Sequence, residues 1–160
     1  HTQHAKSQAA FEAALRAEPG NESALSGLAR IYEMRGDREQ AQRYTNEIRT
    51  RRERDPYYQF AMAQAAYEQK AFGQSLEHIN QAIELRERGA FYYLQALAHY
   101  AKGDLTSASE SLDRAQQHKR SLPSKKQEHV LAMASRIHAQ EAQKNLQSLA
   151  TEDPVPLKTQ

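Results

Sequence analysis

The sequence contains no cysteine and no tryptophan. Without cysteine there is no disulfide framework and no thiol nucleophile, but the compartment stays open, because many exported proteins also lack it. Valine occurs only twice, as Val130 and Val155. Strands draw on β-branched and aromatic residues, so a large sheet is not expected. The six glycines form no phosphate-cradling loop and no Gly-x-Ser-x-Gly elbow. No apolar run approaches the ~20 residues of a membrane-spanning helix, and no secretory leader is visible at the start. Charge of one sign is also missing. The formal net charge is +2 with 26% charged residues, a near-balance that argues against nucleic acid as an obligatory partner.

What dominates is Ala, Gln, Glu, Leu and Arg, most of them good helix formers. An all-α chain is the expectation. Its pattern is repetitive. Leu28–Ala41, LARIYEMRGDREQA, reads as a helix, a tight Gly-Asp turn and the start of a second helix. Within it stand Leu28, Ala29, Tyr32, Gly36, Asp37 and Ala41. About 34 residues on come Met62, Ala63, Tyr67, Phe72 and Ser75. Ala96, Tyr100, Gly103, Asp104 and Ala108 follow. The second helices share one spacing too, in the pairs Phe11/Ala14, Thr45/Ile48, Ile79/Ala82 and Leu112/Ala115.

This pattern resembles the tetratricopeptide repeat family over roughly residues 7 to 120. It departs from the family at several places. Lys70 and Ala71 stand where Gly-Asp belongs. Gln95 and His99 occupy places that are usually apolar or aromatic, so the third copy is expected to pack less well. The resemblance implies a right-handed superhelical array of antiparallel helix pairs, an α-solenoid. Such a unit cannot bury its own apolar face and needs neighbours. Small residues such as Ala29, Ala63 and Ala96 would let backbones approach, with larger ones filling the space between.

The expected organisation is one repeat domain over 1–150. It has an unpaired helix at 3–18, hairpins at 22–53, 57–86 and 89–118, and a capping helix at 124–148. Asn21 is the N-cap of the first hairpin, and Ser124 with Gln127 forms a candidate capping box. Residues 151–160 contain two prolines and read as a flexible tail. The chain starts at His1, inside what looks like a second helix, as an excised fragment would. The basic end of the third helix, Arg49, Arg51, Arg52 and Arg54, reads as a complement to the helix dipole rather than an anion site.

Nothing in the sequence looks catalytic. Seven histidines are scattered without a zinc spacing. His138 and Glu141 share a helix face, but two ligands do not make a metal site. No cofactor, metal or catalytic residue is expected.

The family resemblance places the first helix of each hairpin on a concave surface. The inward residues here would be Ser23, Ser26, Arg30 and Glu33, then Tyr57, Phe60, Gln64 and Tyr67, then Ala90, Tyr93, Leu97 and Tyr100. The candidate peptide-binding groove is therefore Arg30, Tyr57, Phe60, Gln64, Tyr67, Tyr93, Leu97 and Tyr100. Tyrosine supplies contact area and one orienting hydroxyl at little entropic cost. In the second and third hairpins the tyrosine-to-small-residue interval is one shorter than in the first. Tyr67 and Tyr100 could therefore face either the groove or the core. Relatives that grip a peptide C-terminus use a set of Lys, Asn and Arg. Ser26, Gly27, Arg30, Ala90 and Leu94 stand at those places, so no such clamp is expected.

The leading functional reading is a non-catalytic scaffold for a protein or peptide partner, with no nucleic acid and no membrane span. A second is an accessory array of a larger enzyme. RRERDPYY at 51–58 and the following FAMAQAAYEQ are similar to repeats that follow a transglutaminase-like domain in some bacterial envelope proteins. That likeness implies a catalytic cysteine upstream; the compartment, bacterial cell envelope or periplasm or else cytoplasm, stays open. A third reading is an oligomerisation module, a homodimer paired through the first or last helix.

Overall fold

The computed structural model describes residues 3–151. Apart from Thr151, the tail expected at 151–160 lies outside the described residues. Eight α-helices follow one another: α1 (Gln3–Ala17), α2 (Glu22–Met34), α3 (Arg38–Glu53), α4 (Pro56–Glu68), α5 (Phe72–Leu85), α6 (Gly89–Ala101), α7 (Leu105–Gln117) and α8 (Ser124–Thr151). A single 3-10 turn, Lys119–Ser121, precedes α8. No strand occurs among the described residues. The chain is all-α and built from helix pairs joined by tight turns. Two compact units divide it, His1–Tyr58 and Gln59–Gln160.

The turns show how sequence sets local structure. Gly36 and Gly103 adopt φ of 78° and 80°. In each turn the next residue reaches back five places, Asp37 N to Tyr32 O at 2.9 Å and Asp104 N to His99 O at 3.0 Å. These left-handed closures satisfy carbonyls that the helix end would otherwise strand. Each aspartate then caps the following helix. Asp37 accepts from Gln40 N at 3.2 Å, and Asp104 accepts from Ser107 N at 3.1 Å. The Ser107 bonds hold the Asp104 carboxyl below its ordinary range. The middle copy keeps the turn without the residues that favour it. Lys70 sits at φ 60°, Ala71 N reaches Ala66 O at 2.9 Å, and Ala71 offers α5 no side-chain cap.

In the first unit α2 supplies the sealed core, with Ala24, Leu25, Leu28 and Ile31 buried. Neither α1 nor α3 buries a residue completely. Asn21 caps α2 by accepting from Ala24 N at 2.9 Å. The unpaired first helix leans on α2 through Phe11, whose ring fills the space above Gly27. A Cβ on Gly27 would stand 2.4 Å from that ring, so no other residue permits this approach. Gln8 ties the same pair by donating to the Tyr32 hydroxyl at 3.3 Å and accepting from Arg35 at 2.6 Å. The arginines at the end of α3 are largely neutralised. Arg51 pairs with Glu47 at 3.0 Å and Arg49 with Glu53 at 3.6 Å. Arg52 binds Glu22 and lies over the Tyr58 ring at 5.2 Å. The Arg52 guanidinium holds the Glu22 carboxyl below its usual range.

The second unit is built around α6. Phe91, Leu94 and Ala98 join Ala63 of α4 and Leu76, Ile79 and Ala82 of α5 in one buried cluster. Tyr92 and Ala96 join Ala108, Leu112 and Ala115 of α7, Leu122, and Val130 and Ile137 of α8 in another. Where α4 meets α5, the fully buried Ser75 donates to the Ala63 carbonyl at 2.8 Å. Serine thus stands at a close crossing without leaving a buried hydroxyl unpaired.

Two expectations are corrected here. Gln95 does not loosen the third pair. Its amide donates to Asn80 of α5 at 2.8 Å and its carbonyl accepts from Ser111 of α7 at 2.8 Å, so one side chain links three helices. Gln127 does not close a capping box with Ser124. It donates to the Lys119 and Leu122 carbonyls at 3.0 and 2.8 Å, fastening the first turn of α8 to the 3-10 turn.

Tyr92 carries the clearest electrostatic consequence. It is 7% exposed, its hydroxyl donates to Glu87, and its ring stacks on His118 at 5.5 Å. Burial first, then the Glu87 carboxylate, pushes the phenol up to about 12.

Two predictions follow from these features. A lysine in the left-handed region costs ~1 kcal/mol, partly offset by the greater freedom glycine has when unfolded. Lys70→Gly should therefore stabilise by roughly 0.5 kcal/mol, and adding Ala71→Asp should contribute about 1 kcal/mol more as an N-cap. Urea midpoints check both. An unchanged midpoint for the pair would count against the strain and the missing cap. For Tyr92, the folded phenol keeps its proton to higher pH than the unfolded one. Its contribution is complete below the ordinary tyrosine value of ~10 and is lost as pH rises through about 12. Helical circular dichroism should fall across that window, and Tyr92→Phe should flatten this component of the loss. Coincident profiles for the two proteins would refute it.

Candidate functional site

The side chains of α6 fall into three rows. Phe91, Leu94 and Ala98 are sealed against α4 and α5; Tyr92 and Ala96 are sealed against α7 and α8. The third row, Ala90, Tyr93, Leu97 and Tyr100, is half-buried. It packs on the neighbouring clusters at Ala90, Tyr93 and Tyr100 but is not closed over. This row comes from the helix GAFYYLQALAHYA, apolar nearly all round. A helix of that kind belongs in a core or against a partner.

Tyr67 of α4 is half-buried and packs on Phe72, with ring centroids 5.4 Å apart. The Tyr93 hydroxyl is pushed above its ordinary value, by burial first and then by the neighbouring Tyr67. The Tyr100 hydroxyl accepts a hydrogen bond from Gln140 of α8 at 3.3 Å. Neither Tyr67 nor Tyr100 is fully buried, so both rings keep an outward edge.

The other sequence-derived residues divide differently. Phe60 is half-buried, and its ring lies 4.9 Å from that of Phe91, which is 1% exposed. Phe60 is thus a packing residue on its inner side. Gln64 is exposed. Arg30 and Tyr57 belong to the first unit. Arg30 is exposed on the wall of a cleft of about 680 Å3 between α1 and α2, beside Ser7, Phe11, Ser26 and Met34. Tyr57 is half-exposed in the first turn of α4, its amide bonded to Asp55 Oδ1 at 2.9 Å.

Reasoning from the pattern missed the polar links that hold this surface. Gln59 is 4% exposed, and its carbonyl oxygen lies 2.8 Å from His78 Nδ1. Gln95 bridges Asn80 and Ser111. A glutamine inside an apolar helix face was the visible sign in both cases. Which partner it would find depended on neighbours remote in sequence.

His138 Nδ1 and Glu141 Oε2 are 3.9 Å apart and form a surface pair. Among the described residues no group of three or more His, Cys, Asp or Glu could hold a metal ion. No helix among them is long and apolar enough to cross a membrane.

Comparison with known families matches residues 2–65, which run from α1 into α4, to the tetratricopeptide repeat model. No curated protein matches the chain. Repeats of this kind generally mediate protein–protein interaction. Residues 2–65, which include the Gly36-Asp37 turn and the close approach of Phe11 to Gly27, match the tetratricopeptide repeat family.

Proposed function

We propose that the half-buried row on α6 binds a segment of a partner protein, with Tyr93 and Leu97 at its centre. Tyr67, close to the Tyr93 hydroxyl, and Tyr100, one turn further along α6, border them; Phe60, packed on Phe91, and the exposed Gln64 of α4 would add outer contacts. One observation carries the reading. Two rows of α6 are sealed, while the third, equally apolar, keeps its tyrosine edges open. Each tyrosine offers an apolar face and a hydroxyl for orientation, which suits an extended or helical peptide with apolar anchors. Arg30 and Tyr57 belong to the first unit and take no part in this proposal. The family's general role in protein–protein interaction supports the same class of function.

Tyr93 and Leu97 are the informative positions, because neither is sealed in the core. Tyr93→Ala should weaken binding to a physiological partner about tenfold or more, as truncating a central aromatic anchor does, in excess of any loss in unfolding midpoint from its partial packing on the core. Leu97→Asp should act likewise by placing a charge on the row. Phe60→Ala should lower both affinity and stability, because it also leaves Phe91 uncovered. Isothermal titration with a captured partner, alongside urea unfolding, separates these effects. Unchanged affinity in both Tyr93→Ala and Leu97→Asp would refute the reading.

A further inference from the structure

The nearly neutral chain conceals an uneven distribution of charge. Residues 114–127 contain Arg114, Lys119, Arg120, Lys125 and Lys126 but not one Asp or Glu. The fold sets part of this run beside Arg86 and Arg88, which lead into α6. The two segments enclose a cleft of about 380 Å3. Glu87 is the one carboxylate in its wall. It already accepts from the Tyr92 hydroxyl, and it lies 3.8 Å from His118 Nε2. Arg86, Lys119 and Arg120 are exposed, and no carboxylate pairs with them among the described residues. The arginines of α3 differ, since Arg49, Arg51 and Arg52 each have a carboxylate at hand. On the other side of Lys119 lies a smaller cleft of about 210 Å3, walled by Leu122, Val130 and Leu131. Leu131 is 57% exposed.

We propose that this junction docks an acidic protein segment that carries an apolar side chain among its carboxylates. The cations would receive the carboxylates, and the Leu122–Val130–Leu131 cleft would receive the apolar side chain. Lys119 borders both clefts, so the two kinds of contact lie within one short segment's reach. Charge complementarity at such a rim speeds association and fixes register, while the buried apolar anchor supplies the concentrated energy. Single-stranded nucleic acid fits less well. Glu87 opposes a phosphate in the cleft, and its wall carries no tyrosine or phenylalanine on which a base could stack. An anionic membrane surface fits less well too, because the apolar part is a narrow cleft and not a broad helix face. This surface is separate from the half-buried row on α6, and either could operate without the other.

The test uses the whole chain and a fluorescently labelled synthetic peptide with one leucine between two glutamate pairs. Fluorescence anisotropy should show binding that weakens as salt is raised, as screened charge contacts do. The double substitution Lys119→Glu with Arg120→Glu should reduce affinity about tenfold or more, and Leu131→Ser about fivefold. Lys102→Glu changes charge in the α6–α7 turn and should leave affinity unchanged. Circular dichroism confirms that these exposed-site variants remain folded. The proposal is overturned by no binding, by equal loss in Lys102→Glu, or by equal binding of a peptide with serine in place of leucine. Tighter binding of a short DNA duplex or of phosphatidylserine vesicles would also overturn it.

Discussion

The second unit depends on the burial of α6 from two sides at once. Ala96 and Ala98 have no exposed surface, and Ala63, Ala82, Ala108 and Ala115 meet them from the neighbouring helices with none either. Small side chains at these crossings let the backbones come close, and dense packing does the rest. The larger residues, Phe91 on one side and Leu112 on the other, fill the remaining volume. Enlarging any of these alanines would drive methylenes into space already occupied, which typically costs ~1–3 kcal/mol. With two rows committed to packing, the third row is left as surface, and it is as apolar as the others.

The first unit solves the same problem with fewer resources. Only α2 buries side chains fully. Its neighbours contribute half-buried residues and polar ties, and Gly27 gives up its side chain so that the Phe11 ring can sit against the helix. Arg52 adds a charge contact to Glu22 at the start of α2. Both groups are substantially exposed, so the contact fixes geometry more than it stabilises.

Polar groups in these helices hold the packing together. Among the described residues Ser75, Gln59 and Ser111 are the buried polar ones, and each has a hydrogen-bond partner. Among the described residues no buried side-chain nitrogen or oxygen is left unpaired. Such links act as registration marks, because sliding one helix by a turn would orphan them and cost the full desolvation penalty. Ser75 shows the point best, since sliding α5 along α4 would take its fully buried hydroxyl away from the Ala63 carbonyl.

The amino-acid sequence by itself determined the helices, their turns and their pairing. A 3.6-residue apolar period, a left-handed glycine and an aspartate cap are local features, and their energies are settled within a few residues. Even Lys70 and Ala71 were legible as a departure at the right place. Local rules could not say whether Tyr67 and Tyr100 face inward or outward, because a shift of one residue turns a helix face by about 100°. Tertiary packing decided that both rings stay half-exposed. It also decided that Gln95 is a bridge rather than a flaw and that Gln127 serves carbonyls behind it rather than a cap. The partners of Gln95 lie 15 and 16 residues away and that of Tyr100 lies 40 away, near only once the helices close on one another, while Gln127 turns back on the 3-10 turn that leads into its own helix.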